Sequence, residues 1–188
     1  VNVPANISSQ FITSLLLVAG KLENGLEINL VGEVTSRSYI EMTLDILTKF
    51  GIQSSFEGNT IKVEPFTPDN NNEIVQYEVE SDWSSASYFF SLVALADTAS
   101  ITLSSYKENS LQGDSELVSL YEKMGVKTTF QNNKMTLEKV SGFNYEDVNF
   151  ELNNTPDIAQ TIVVTCLGLG IGCHLTGLHT LKIKETDR

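Results

Sequence analysis

Positive charge is scarce in this 188-residue chain: 12 Lys and Arg stand against 24 Asp and Glu, a formal net charge of −12. A field of that sign repels nucleic acid and anionic lipid, so any anionic ligand must be held by a local cluster. Cysteine is nearly absent. Cys166 and Cys173 cannot staple a disulfide scaffold and read as reduced thiols of a cytoplasmic protein. Long apolar runs are missing too: 15–19 and 162–173 fall short of the roughly 20 residues that a membrane-spanning helix needs. The second run also carries Thr165 and three glycines. No basic segment leading into an apolar run and a cleavage site opens the sequence, so nothing points to export. Metal and dinucleotide patterns fail as well. Cys173-His174 with His179 lacks a fourth zinc ligand. Gly168, Gly170 and Gly172 neither follow a strand nor open a helix, and no serine has a nucleophile-elbow setting.

What is present is a repeat. Leu47-Thr48-Lys49-Phe50-Gly51-Ile52 is echoed by Tyr121-Glu122-Lys123-Met124-Gly125-Val126, with the glycines 74 residues apart. Ser8-Ser9 before an apolar run is echoed by Ser84-Ser85, and again by Pro156-Asp157, so three helix starts share one period. In the first copy, apolar residues at helical spacing follow Ser8-Ser9 until Gly20, on a face wide enough to predict a largely buried helix. Leu26-Glu27-Ile28-Asn29-Leu30 alternates as a half-buried strand does. A second helix is predicted over 39–50, with Gly51 as its left-handed cap, and Glu57-Gly58-Asn59 between two short apolar runs is hairpin chemistry.

The unit therefore runs strand, helix, strand, helix, strand, strand. The second copy predicts a strand over 74–79, a helix over 84–96 started by Ser84-Ser85, a strand over 100–103, a helix over 115–124 and a hairpin at Gln131-Asn132-Asn133. The third predicts a strand over 148–152, a helix from Pro156 and a strand near 174–178, then stops at Arg188 in mid-unit. Residues 67–72, polar and proline-bearing, are the best linker. Alternating strands and helices of this kind predict an α/β (α+β) fold with mixed sheets. A start at Val1 and a stop inside a unit suggest a piece of a longer chain.

Four places have residue types suited to chemistry. Ser8-Ser9-Gln10 opens a helix, where unpaired N–H groups and the helix dipole favour a phosphate or carboxylate. Thr35-Ser36-Arg37-Ser38-Tyr39 brings hydroxyls, a guanidinium and a phenol to the next helix start. Asp157 opens the third copy's helix and suits a general base if a substrate hydroxyl lies within reach. Lys182-Ile183-Lys184-Glu185-Thr186-Asp187-Arg188 sets three cations around Glu185, a proton-transfer group beside an anion clamp. By residue type alone each is more often a capped or solvated helix start.

Taken together these residues resemble the 5-enolpyruvylshikimate-3-phosphate synthase family. The resemblance is carried by Ser8-Ser9-Gln10-Phe11, Ser36-Arg37-Ser38-Tyr39-Ile40, Asp82 with Ser84-Ser85-Ala86-Ser87-Tyr88-Phe89, Leu111-Gln112-Gly113-Asp114, Pro156-Asp157 and Lys184-Glu185-Thr186-Asp187-Arg188. These occur in family order over essentially the whole chain. The resemblance implies six strand-helix units in two three-unit domains around a cleft. Here it implies residues 1–80 as the last unit of one domain, and 81–188 as the first unit and part of the second of the other.

It further implies transfer of the enolpyruvyl group from phosphoenolpyruvate to the 5-hydroxyl of shikimate 3-phosphate, with no metal or organic cofactor. Ser8, Ser9, Gln10 and Ser36 would hold shikimate 3-phosphate, with Tyr39 adjoining. Asp157 would orient or deprotonate the 5-hydroxyl, and Lys184 would bind nearby. Glu185 would shuttle protons at the methylene carbon, and Arg188 would pair with phosphoenolpyruvate. Thr180 stands where the family commonly has asparagine. The family's early lysine, its Asn-Ala-Gly-Thr loop and its later donor-binding cations are not in this stretch, so the chain alone is expected to be inactive. Two alternatives stand beside this one: a UDP-N-acetylglucosamine enolpyruvyl transferase, and a non-catalytic repeat module.

Overall fold

The protein is described from a computed structural model covering residues 1–5, 9–34, 36–68, 74–179 and 181. Ser8, Thr180, Lys184, Glu185, Arg188 and most of the expected linker lie outside the described residues. The chain divides into two compact units, Val1–Glu78 and Val79–Leu181.

In the first unit β1 (Asn2–Pro4), α1 (Ser9–Ala19), β2 (Leu26–Val31), α2 (Arg37–Lys49), β3 (Ser54–Glu57) and β4 (Thr60–Val63) follow in order. The sheet order is β1-β2-β4-β3. β1 and β2 are parallel, as a helical crossover requires, whereas β2, β4 and β3 pair antiparallel. Alternation puts Ile28, Leu30, Ile61 and Val63 on one face, where α1 and α2 cover them with Ile12, Leu16, Ala19, Ile40, Leu44 and Leu47. Fully burying an aliphatic side chain of this size contributes about 1.5–3 kcal/mol, which is what holds helices to sheet. The opposite face is polar, with Lys62 Nζ 3.4 Å from its cross-strand neighbour Glu27. α2 ends as its sequence predicts. Gly51, at φ 83°, donates its N–H to Thr48 O while Ile52 donates to Leu47 O, the paired bonds of a Schellman cap.

The second unit contains α3 (Trp83–Leu95), β5 (Ser100–Ser104), a 3₁₀ turn (Gly113–Glu116), α4 (Leu117–Glu122), β6 (Val126–Gln131) and β7 (Lys134–Lys139). It continues with β8 (Val148–Glu151), a second 3₁₀ turn (Pro156–Ile158), α5 (Ala159–Leu169) and β9 (Cys173–Thr176). β5-β7-β6 form an antiparallel sheet, and β8 and β9 pair in parallel across α5. Asn132 and Asn133 both take positive φ, 54° and 55°, as a two-residue hairpin turn between right-twisted strands demands. One core joins the helices to the strands: Trp83, Phe90, Tyr121, Met124, Met135 and Phe150 are all buried in it.

The mixed α/β architecture is the expected one, and three local expectations need correction. Residues 74–79 make no strand; two residues further on, Ser81 donates its N–H and hydroxyl to Ser105 O and Ser104 O. The helix predicted from Ser84-Ser85 starts at Trp83 and is capped by Asp82, two residues before Ser84. α1 is not largely buried: only its Ile12, Leu16, Ala19 stripe is covered, while Phe11, Leu17 and Val18 are exposed. That stripe recurs at i, i+4, i+7, which is as much of a helix as one flat sheet face can touch. No helix among the described residues is long and apolar enough to cross a membrane.

Candidate functional site

In the first unit, strand order places two helix starts side by side. β1 leads into α1 and β2 into α2, and because β1 and β2 are parallel neighbours both helices begin at the same end of the sheet. Ala5 N donates to Val31 O at 2.9 Å and ties those two strand ends together. In parallel sheets the carboxyl ends of the strands are where ligands sit, and paired helix N-termini add N–H donors and positive dipole ends. Neither helix has an acidic residue in its first turn to neutralise that end.

Ser9 and Gln10 are the first residues of α1, Ser9 half-buried and Gln10 exposed. Ser36 precedes α2 in a left-handed conformation, φ 52° and ψ 45°, and makes no side-chain cap to its helix. A non-glycine residue there carries strain of order 1–3 kcal/mol. Ser38 Oγ, two residues further, is buried without a hydrogen-bond partner among the described residues. Tyr39 is half-buried, with its carbonyl accepting from Thr43 Oγ1 at 2.9 Å. Arg37 does not join them as an anion clamp. Its guanidinium lies 3.9 Å over the Phe56 ring, Nε donates to Glu41 at 2.8 Å, and Nη1 reaches Gly58 O.

In the second unit Asp157 is half-buried at the centre of the Pro156–Ile158 turn, between two buried neighbours. The residue before that turn, Thr155, is fully buried and donates its hydroxyl to Asp114 Oδ1. Asp114, itself 1% exposed, accepts a second hydroxyl at Oδ2, from Ser84 in the first turn of α3. Burial pushes the Asp114 carboxyl above its ordinary range, and the nearby charges of Asp157 and Asp82 add to the effect while the two hydroxyls oppose it. Below this node Ser87 meets Thr161 at 3.1 Å and Thr165 donates to Ser91 at 2.8 Å, each pair 74 residues apart. Tyr121 completes the ladder against Thr165 at 2.9 Å, with burial pushing its phenol up to about 12.

The sequence patterns did not assign a role to Asp114 or Thr155. The available signal was small polar residues recurring at one repeat length, Ser87 with Thr161 and Ser91 with Thr165, on helices otherwise apolar. Of the expected site residues, Ser9, Gln10, Ser36 and Tyr39 belong to the first unit and Asp157 to the second. Among the described residues no group of three His, Cys, Asp or Glu side chains is placed to hold a metal ion.

Comparison with known proteins gives a consistent result. The family model for EPSP synthase (3-phosphoshikimate 1-carboxyvinyltransferase) matches residues 1–188. A 3-phosphoshikimate 1-carboxyvinyltransferase of Bacteroides fragilis is 39% identical over 189 residues, covering 100% of this chain and 45% of the relative. One of Haemophilus influenzae is 33% identical over 191 residues, covering 100% and 42%. The structure of EPSP synthase from Acinetobacter baumannii superposes over 100% of this chain and 42% of that one, with a TM-score of 0.68 at 20% identity, a likeness of fold. The chain thus spans less than half the length of these relatives. Matched from first residue to last, it belongs to the EPSP synthase (3-phosphoshikimate 1-carboxyvinyltransferase) family.

Proposed function

We propose that the protein to which this chain belongs transfers the enolpyruvyl group of phosphoenolpyruvate to the 5-hydroxyl of shikimate 3-phosphate, releasing phosphate, in the cytoplasm. The observation that carries this reading is the family match along all 188 residues. The names of the relatives favour it over a UDP-N-acetylglucosamine acceptor. In this reading residues 1–80 are the last repeat unit of one domain, and 81–188 are the first and part of the second unit of the other.

Each step then has a residue. The two helix starts of the first unit hold the acceptor's phosphate through Ser8, Ser9, Gln10 and Ser36, with Tyr39 alongside; N–H groups and hydroxyls suit a dianion without net positive charge. Asp157 accepts a hydrogen bond from the 5-hydroxyl and takes its proton as the oxygen attacks. Glu185 protonates the methylene carbon of the donor, so that C2 becomes electrophilic and the new C–O bond forms there. Removal of a proton from the resulting methyl group, with loss of phosphate from C2, restores the double bond. Lys184 and Arg188 neutralise the anions around this exchange, and Thr180 contributes a hydroxyl. No metal or organic cofactor enters the scheme.

The test uses the full-length enzyme. Asp157→Ala and Glu185→Ala are each expected to lower kcat at least about a hundredfold, the scale of general acid–base catalysis. Undiminished turnover in both would remove the reading.

A further inference from the structure

Resting on the reading that Asp157 faces the acceptor hydroxyl, we propose that Asp114 is a positioning residue that sets the place of Asp157 through Thr155. Asp114 is remote from solvent, and both its oxygens are taken by hydroxyls from different helix starts: Ser84 of α3 and Thr155, two residues before Asp157. Thr155 also donates its N–H to Leu152 O at 3.1 Å, and Pro156 then fixes its own φ. The two residues leading to Asp157 are therefore each restrained, Thr155 by a carboxylate of the Gly113–Glu116 turn and Pro156 by its own ring.

A buried carboxylate is a costly way to fill space, because an apolar side chain of similar volume avoids the desolvation penalty. What a carboxylate supplies is direction: two strong, short, charge-assisted bonds whose geometry fixes both donors at once. The Ser87–Thr161 and Ser91–Thr165 bonds hold α3 and α5 in axial register. Asp114 extends that register to the turn ahead of the first residue of α5, where Asp157 lies. A displacement of about 1 Å at such a group is enough to cost up to a hundredfold in rate.

The test compares Thr155→Val, which keeps shape and loses the hydroxyl, with Thr155→Ser, which keeps the hydroxyl. Both are made in the full-length enzyme, in the wild-type and Asp157→Ala backgrounds. Thr155→Val is expected to lower kcat about ten- to a hundredfold with KM for phosphoenolpyruvate unchanged. Thr155→Ser should recover most of the loss, and in the Asp157→Ala background Thr155→Val should remove nothing further. An equal loss in both backgrounds, or an unchanged kcat for Thr155→Val, overturns the proposal. Should Thr155→Val not fold, Asp114→Asn replaces it under the same criteria. If Asp157→Ala alone leaves kcat intact, it is the underlying assignment of Asp157 that fails, and the comparison of backgrounds shows this directly.

Discussion

The starts of α2, in the first unit, and α3, in the second, are built in opposite ways. In the first unit Ser36 sits left-handed before α2 and offers its helix no side-chain cap. In the second, Asp82 in an extended conformation accepts the N–H groups of both Ser84 and Ser85 and so closes the start of α3. The interiors differ in the same sense. Among the described residues of the first unit the one polar residue buried as a whole is Thr43, bonded to its own helix, and Ser38 adds a buried hydroxyl at the start of α2. The second unit buries Ser87, Asp114, Thr155 and Thr165. One unit keeps an apolar interior and leaves its polar groups open at the helix ends. The other spends its polar groups inside, joining α3 to α5 and to the residue ahead of the Pro156–Ile158 turn. In the proposed reading the two units serve different ends, ligand capture in the first and placement of a side chain in the second.

The largest effect should come from cutting one core and not the other. Trp83→Ala removes a fully buried indole in contact with Tyr106 and Phe130, and should destabilise the second unit by about 3–5 kcal/mol. Cys166 gives a local readout, because it is 1% exposed and its thiol is pushed up to about 11 by burial beside Cys173. In Trp83→Ala it should become accessible to a thiol reagent under mild denaturant. In Leu16→Ala, a core cut in the first unit, it should stay protected. Labelling of Cys166 in Leu16→Ala would show that the two cores open together.

Acid should act on the second unit. Burial raises the pKa of both Asp114 and Glu116 above the ordinary 3.8 and 4.5. The folded chain then holds these protons to higher pH than the unfolded chain does. Their contribution to stability is complete below the ordinary values and is lost as pH rises through the folded ones. Asp114→Asn, which does not titrate, should flatten that decline when urea midpoints are measured from about pH 4 to pH 7. An unchanged profile would assign the pH dependence elsewhere.

The smallest effects test the helix starts themselves, and they should differ in sign. Asp82→Ala is expected to cost about 1 kcal/mol, the ordinary value of a side-chain cap. Ser36→Gly should stabilise the chain by up to about 1 kcal/mol, since glycine takes a left-handed conformation without strain. Thermal unfolding of the two variants measures both, and a destabilised Ser36→Gly would show that the serine side chain holds its start in a way the backbone does not reveal.

Much of this was legible in the residue order. The alternation at 26–30, the glycine at 51 and the asparagine pair at 132–133 report local backbone preferences, and each stands where the structure has a strand, a helix cap or a hairpin turn. What failed locally failed for a tertiary reason. Residues 74–79 alternate plausibly yet pair with nothing, because a strand exists only when a neighbour satisfies its N–H and C=O groups. Ser84-Ser85 looks like a cap, but Ser84 turns its hydroxyl to Asp114, leaving Asp82 to close the helix.

The sequence by itself determined the mixed α/β class, the spacing of the helix starts, the family, and the acidic balance that forces any anion onto local donors. Only the tertiary structure decided which hydroxyls meet, that Arg37 lies on Phe56 rather than open to a ligand, and that a carboxylate from one short turn reaches the threonine ahead of Asp157. The physical reason is range. Periodicity and capping act within a few residues and are written in residue order, whereas a buried hydrogen bond between residues 41 apart exists only once packing has removed the water that would otherwise take its place.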